Sequence, residues 1–559
     1  MPKSLTSLLV VAATATAHAT PKAARAPAKH DGAHARVAVA HAGGMRPARE
    51  IVGRREAPLS AEEDTAKQIE KLLRGPLRSG ITGLFVADAR TGEPLFAVNA
   101  DDALNVASNV KMISTATALE LLGAEFRYPT RVFGPVPDAA GRIDGNVYLL
   151  GSWDPTLAAT DLDEIAQQLA DRGVHELHGD VVVGSDPTRD GIYRAIVPIE
   201  IKAGAPGAPP VATAPAGFDL ISFDVKATTA KIARHASLAF ADTTTHDAAG
   251  HLRVQLTISG TIGKGGGTMY PLLVKERTAD AAHALRAALR AHQILVDGDV
   301  RVEELGDFIG DAVLAGALPV ELGRHESAPL AEIIAHVNKW SINWLADRVI
   351  MTAAALTRRE PPSMELALDA MYDWLARHPH LAKDDVLVDT GSGLSYHTRI
   401  SPHELVQIVR SAAGFAPDSD QATAHAWLAS LSIGGTDGTL TRRFRDAFTR
   451  GRLHGKTGTL STVIALSGVL EVDPARPLAF SIITNGDRPL AKRYVRKAHE
   501  QVVGLICKYL ARTAKTPPAA AAFVTPAAAP AKVEHPGVPD DLEDAVDDPQ
   551  LDAETAGQK

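Results

Sequence analysis

The sequence predicts an α/β fold whose N-terminal and C-terminal segments share one sheet, with a strand-rich module inserted between them. Three observations predict it. Residues 83–98 read as a β-hairpin and are followed by a helical run. A stronger strand pair, residues 462–470 and 478–483, precedes a helix over 490–510. From Tyr148 to about Asp307 the helical period fades, and short β-type runs alternate with Gly- and Pro-rich turns.

Taken in order, the chain opens on an export signal at 1–19. Lys3 supplies the positive start, residues 5–15 are apolar and small, and Ala17-His18-Ala19 fits a small-x-small cleavage site. Residues 20–59 are rich in Ala, His, Arg and Pro without periodicity and read as a disordered linker. The catalytic α/β domain is expected at 60–125 and 320–514, the inserted module at 126–319, and a disordered acidic tail at 515–559. In the hairpin, Leu84, Val86 and Leu95 flank the turn Arg90-Thr91-Gly92. A helix is expected to start at Ser108, with Met112, Ala116 and Leu119 on one face and Gly123 at its end. Within the module, residues 147–150, 180–183 and 252–258 read as strands, and 204–215 as a loop. Leu330, Ile333, Ile334 and Val337 mark one later helix; Leu345, Val349 and Ile350 mark another.

The formal net charge is −8, and residues 533–559 alone hold nine acidic residues against one lysine. The rest of the chain is therefore near neutral, which gives nucleic-acid binding no electrostatic support. No run is long and apolar enough for a transmembrane anchor. Cys507 is the sole cysteine, so no internal disulfide forms. These features predict an exported protein, periplasmic or secreted. No oligomeric state can be read from them.

Three short clusters carry chemistry. In Ser108-Asn109-Val110-Lys111 the lysine lies one helical turn from the serine and can take its proton once burial and a second cation favour the neutral amine. Ser341-Ile342-Asn343 lies at a helix junction, where Ser341 can relay a proton and Asn343 can hold an amide, although an N-cap serves equally for Ser341. Lys456-Thr457-Gly458 precedes the strongest strand; Lys456 and Thr457 offer a cation and a hydroxyl to a carboxylate, and Gly458 clears the strand edge for substrate. His175 and His178 form a His-x-x-His pair without a third ligand, so neither a metal nor an organic cofactor is expected. Trp340 and Trp344, flanking Ser341, read as core, with lining of the cleft by one of them as the alternative.

In this order the trio is the set shared by β-lactamases and penicillin-binding proteins. The chain resembles the class C low-molecular-mass penicillin-binding proteins, the D-alanyl-D-alanine carboxypeptidase/endopeptidases of peptidase family S13. Further segments carry the likeness: residues 147–157, Asn338-Lys339 before Ser341, Gly391-Ser392-Gly393-Leu394-Ser395, and Gly435-Thr436-Asp437-Gly438-Thr439-Leu440. The resemblance implies a serine β-lactamase/transpeptidase-like fold and no cofactor. It implies Ser108 as nucleophile, Lys111, Ser341, Asn343 and Lys456 as its catalytic partners, and Thr457, Gly458 and Thr459 as substrate-binding residues. The oxyanion hole falls by resemblance on the N–H groups of Ser108 and Thr459, and the partners on peptidoglycan peptides and β-lactams. The chain departs from the pattern where Thr390 replaces an Asp before Gly391, with Asp389 one position earlier. It departs again at Gly184, where some members use an acidic residue for the substrate's diamino acid; Asp186 lies two positions on. A β-lactamase or esterase would use the same fold, and a non-catalytic cell-wall binder the same surface. Lys111 and Ser341 lie 230 positions apart, too far for a class A β-lactamase, and all three motifs are intact, which argues against a mere binder.

Overall fold

The computed structural model describes residues 60–184, 197–215, 220–232, 237–247, 252–272, 279–303 and 320–514. Residues 1–59 and 515–559, where the export signal, linker and acidic tail are expected, lie outside the described residues, as does Asp186. Helix α1 (Ala61–Arg74) opens on a capping box in which Ser60 Oγ accepts the Glu63 N–H and the Glu63 carboxylate accepts the Ser60 N–H. Strands β1 (Ile81–Asp88) and β2 (Pro94–Val98) form the expected hairpin. Next comes a 3-10 turn, Ala107–Val110, which runs into α2 (Lys111–Leu122). The regular helix therefore begins at Lys111, three residues later than the sequence predicts. The cause is a tight entry: Ala107 sits at φ 46°, held where Asn105 Oδ1 accepts its N–H. Helix α2 is buried continuously from Lys111 to Leu119 and has no polar face.

The module comprises β3 (Pro129–Gly134), β4 (Arg142–Asp144), β5 (Val147–Leu150), α3 (Ala159–Asp171), β6 (Glu176–His178), β7 (Val181–Gly184), β8 (Val197–Lys202), β9 (Val211–Thr213), β10 (Ile221–Val225), β11 (Thr228–Thr229), β12 (Ser237–His246), β13 (Leu252–Ile262), β14 (Gly267–Leu272), α4 (Ala279–Ala291), β15 (Leu295–Val296), β16 (Val300–Glu303) and β17 (Val320–Glu326). Its largest sheet, in the order β16-β7-β5-β3-β17, ends on β17, so the module's pairing runs past residue 319 to Glu326. The 204–215 stretch is not all loop, because β9 pairs with β8. Within 147–157, Asp154 Oδ1 accepts both the N–H and the hydroxyl of Thr156, while the Trp153 carbonyl accepts the Thr352 hydroxyl. That segment joins the module to the helices that follow.

The chain then returns through α5 (Leu330–Trp340), α6 (Asn343–Arg358), α7 (Met364–Arg377), α8 (Pro402–Ala412), α9 (Gln421–Ser430), β18 (Ser432–Ile433), β19 (Leu453–Leu460), β20 (Val463–Leu470), β21 (Leu478–Asn485) and α10 (Lys492–Thr513). As expected, the two chain ends share one sheet, in the order β18-β19-β20-β21-β1-β2, antiparallel throughout. Alternate residues feed opposite faces. Leu84, Val86, Leu466 and Ile482 meet α1 and α10, whereas Phe85, Ala87, Ala465 and Ala479 meet the α2 and α5–α9 layer. Both faces are covered, which is why β20 is buried along its whole length and reads as an apolar run interrupted only by Ser467 and Gly468.

Candidate active site

The site forms where β19 meets the N-terminal end of α2. Strand β18 pairs only with His454 and Gly455. Among the described residues, Lys456–Leu460 then carry no strand on that side, which leaves an open backbone edge facing the Ala107–Val110 turn. Gly458 makes the approach possible. A Cβ there would lie 2.5 Å from the Val106 carbonyl oxygen and 3.3 Å from the Ala107 Cβ. The glycine thus seats the strand on the Ala107–Val110 turn that carries Ser108, a different reason from the substrate clearance the sequence suggests. Gly458→Ala is expected to push strand and turn apart and to slow acylation by a fluorescent penicillin about 10²-fold, since ångström-scale misplacement at a reacting centre costs on that order. Stopped-flow labelling, with a melting curve to check the fold, measures it.

Ser108 is half-buried on the 3-10 turn, where side chains three apart eclipse. This aligns Lys111, whose Nζ lies 3.1 Å from Ser108 Oγ, 2.6 Å from Asn343 Oδ1 and 2.7 Å from the Ser392 carbonyl oxygen. Lys111 is fully buried. Burial, and secondarily the charge of Lys456, hold its pKa well below the ordinary lysine value; the Asp347 carboxylate pulls the other way. Asp347 is itself pushed up by burial, with Lys111 opposing, and its Oδ1 accepts the Ser392 N–H at 2.7 Å.

Ser341 terminates α5 in the left-handed conformation, φ 58° and ψ 39°, so it is a C-cap residue and not an N-cap. That bend turns its hydroxyl to Lys456, whose Nζ donates to Ser341 Oγ at 2.7 Å and to the Thr457 carbonyl at 2.8 Å. Asn343 begins α6, and Asp347 follows one helical turn later on the same side. Thr457 donates to Thr439 Oγ1 at 3.0 Å, and Thr459 Oγ1 accepts from Arg496 at 3.2 Å. The structure therefore gathers Ser108, Lys111, Ser341, Asn343, Lys456, Thr457, Gly458 and Thr459 at one strand edge. Trp340, by contrast, is 45% exposed and not core. His178 pairs with Glu176 and Asp297.

Four supporting groups escaped the sequence reading. Asp347 was signalled only by standing four residues after Asn343. Ser392 acts through its backbone, which a side-chain motif does not report. Asp437 and Thr439, inside the Gly435–Leu440 signature, brace the segments that carry Ser341 and Lys456: Asp437 pairs with Lys339 at 2.7 Å, and Thr439 Oγ1 accepts the hydrogen bond from the Thr457 hydroxyl. The 390–398 loop is pinned by Asp389, which accepts from Ser395 and Thr398, while Thr390 accepts the Gly393 N–H. Gly393, at φ 76°, sits where a Cβ would lie 2.1 Å from the Ala107 carbonyl oxygen, so this loop closes directly over the Ala107–Val110 turn.

Comparison with known proteins agrees with this architecture. The structure aligns with penicillin binding protein 4 from Haemophilus influenzae, solved in complex with a β-lactam, at a TM-score of 0.59 and 19% identity, covering 78% of this chain and 99% of that one. The fold is thus the serine β-lactamase/transpeptidase-like one, with an inserted strand-rich module. A D-alanyl-D-alanine carboxypeptidase from an Actinomadura species is 29% identical over 453 residues, which is 75% of this chain and 80% of that protein. The Haemophilus influenzae D-alanyl-D-alanine carboxypeptidase DacB is 24% identical over 411 residues, 68% of this chain and 80% of its own length. Residues 65–190 and 191–506 match the D-Ala-D-Ala carboxypeptidase 3 (S13) family, and the chain belongs to that family.

Proposed function

We propose that this chain is a serine-type D-Ala-D-Ala carboxypeptidase acting on peptidoglycan stem peptides, with Ser108 forming the acyl-enzyme. The supporting observation is the environment of the Lys111 nitrogen. A neutral amine has two N–H donors and one lone pair. The carbonyl oxygens of Asn343 and Ser392 take the two donors, which leaves the lone pair to accept the Ser108 hydroxyl proton.

A peptide ending in D-Ala-D-Ala lies along the open edge of β19, its carboxylate against Lys456, Thr457 and Thr459. Lys111 takes the Ser108 proton as Oγ attacks the penultimate carbonyl carbon, and the Ser108 and Thr459 N–H groups receive the oxyanion. Ser341, held by Lys456, gives its proton to the departing D-alanine nitrogen as the amide bond breaks and recovers one from the Lys111 ammonium, which returns to the neutral amine. Water, deprotonated in turn by Lys111, then releases the shortened peptide and restores Ser108. A D-Ala-to-diamino-acid cross-link offers the same carbonyl to the same serine, so endopeptidase action needs no further group. β-Lactams acylate Ser108 because they mimic the D-Ala-D-Ala end. The substrate lies outside the cytoplasmic membrane, which fits the export pattern at 1–19 and a periplasmic location; among the described residues no helix is long and apolar enough to cross a membrane.

Digestion of purified muropeptides with mass readout tests this reading. Free D-alanine from pentapeptides is the expected product, and monomers from cross-linked dimers mark the endopeptidase activity. Neither product from a folded enzyme would overturn the proposal.

A further inference from the structure

We propose that Arg496 is a positioning residue that aims the Thr459 hydroxyl at the substrate's terminal carboxylate. The inference rests on the carboxypeptidase reading above. Arg496 is half-buried on α10, the helix lying on the outer face of the sheet, and its Nη2 donates to Thr459 Oγ1 at 3.2 Å. A guanidinium has donors and no acceptor. Thr459 Oγ1 must therefore be the acceptor in this contact, and its own proton is left to point elsewhere.

Thr457, two residues earlier on the same side of the strand, is held differently. Its hydroxyl donates to Thr439 Oγ1 at 3.0 Å, so its proton is turned into the protein. Of the two threonines on β19, Thr459 is the one whose proton the protein contacts leave for a ligand. A carboxylate is an acceptor-only group that matches such a hydroxyl, and a fixed cation directly behind it adds attraction. Arg496 thus does not touch the reacting carbonyl. It sets the direction of one hydroxyl and raises the local potential, favouring acyl donors whose leaving group ends in a carboxylate over neutral ones.

The test uses two thioesters of one N-acyl-D-alanine: the thioglycolate, which carries a free carboxylate, and its neutral carboxamide. Thiol release is followed for the wild type, Arg496→Gln, Arg496→Lys, Thr459→Val and the Arg496→Gln/Thr459→Val double variant. Arg496→Gln is expected to lower kcat/KM on the thioglycolate about 10–100-fold, the scale of a charge-assisted hydrogen bond. On the carboxamide it should change by less than about threefold, and Arg496→Lys should retain part of the discrimination. The double variant should lose far less than the product of the two single losses, because the arginine acts mainly through that hydroxyl. Equal losses on both esters, or losses that multiply in the double variant, would overturn the inference and assign Arg496 a purely structural role. Absence of thiol release by the wild type from either ester would instead sink the carboxypeptidase reading, so the two failures are distinguishable.

Discussion

Ser108→Ala is expected to abolish covalent labelling by fluorescent penicillin and to reduce D-alanine release by about 10⁴-fold or more, the scale seen when an acyl-forming nucleophile is removed. The size of the effect follows from the surroundings. Ser341 carries a second serine hydroxyl in the site, but its Oγ is engaged by Lys456, itself fully buried, whereas Lys111 serves Ser108. The fold should survive, since Ser108 is half-buried and its side-chain contact is the one with Lys111. Peptide mapping of the labelled wild type should place the adduct on the tryptic peptide containing Ser108. A stoichiometric adduct on the Ser108→Ala protein, mapped to Ser341 or elsewhere, would refute the assignment.

Much of this site was legible as motifs, and the reason is local. Ser108 and Lys111 are neighbours within a single turn, and Lys456-Thr457-Gly458 lies on one strand whose partner β20 is largely apolar. What joins them is not local. Lys111 reaches Asn343 and Ser392 across more than two hundred positions, contacts that no spacing rule encodes. Groups that act through the backbone, such as the Ser392 carbonyl, leave no side-chain trace. Three of the module's strands were visible, namely β5, β7 and β13, but its helices α3 and α4 were not. Both are amphipathic, with Leu162, Ile165, Ala166 and Leu169 on the buried face of α3 and Ala281, Ala284, Leu285 and Ala288 on that of α4, so the 3.6-residue signal was present and was overlooked among the neighbouring β-type runs. The N-cap alternative for Ser341 rested on the preference of serine for that position. Here the chain turns through a left-handed residue immediately after Trp340, and the same serine closes the preceding helix.

Lys111→Met is expected to slow acylation by about 10²–10⁴-fold, the range for loss of a positioned general base, and to leave a distinctive pH signature. In the wild type only the neutral amine can accept the Ser108 proton. Acylation should therefore fall tenfold per pH unit below the depressed pKa of Lys111 and level off above it, a limb that Lys111→Met lacks. Stability supplies a second readout that does not depend on activity. The folded pKa of Lys111 lies below the value of an unfolded lysine, chiefly through burial and then through Lys456. Between those two values the unfolded chain binds a proton that the native state has released, so stability rises with pH across that window. The slope is up to about 1.4 kcal/mol per pH unit for one proton. It is lost as pH falls through the folded pKa, and it is absent from Lys111→Met. Urea denaturation of both proteins across that window measures the difference. Parallel curves would mean that Lys111 remains an ammonium in the native state and cannot be the base, whatever the variant does to turnover.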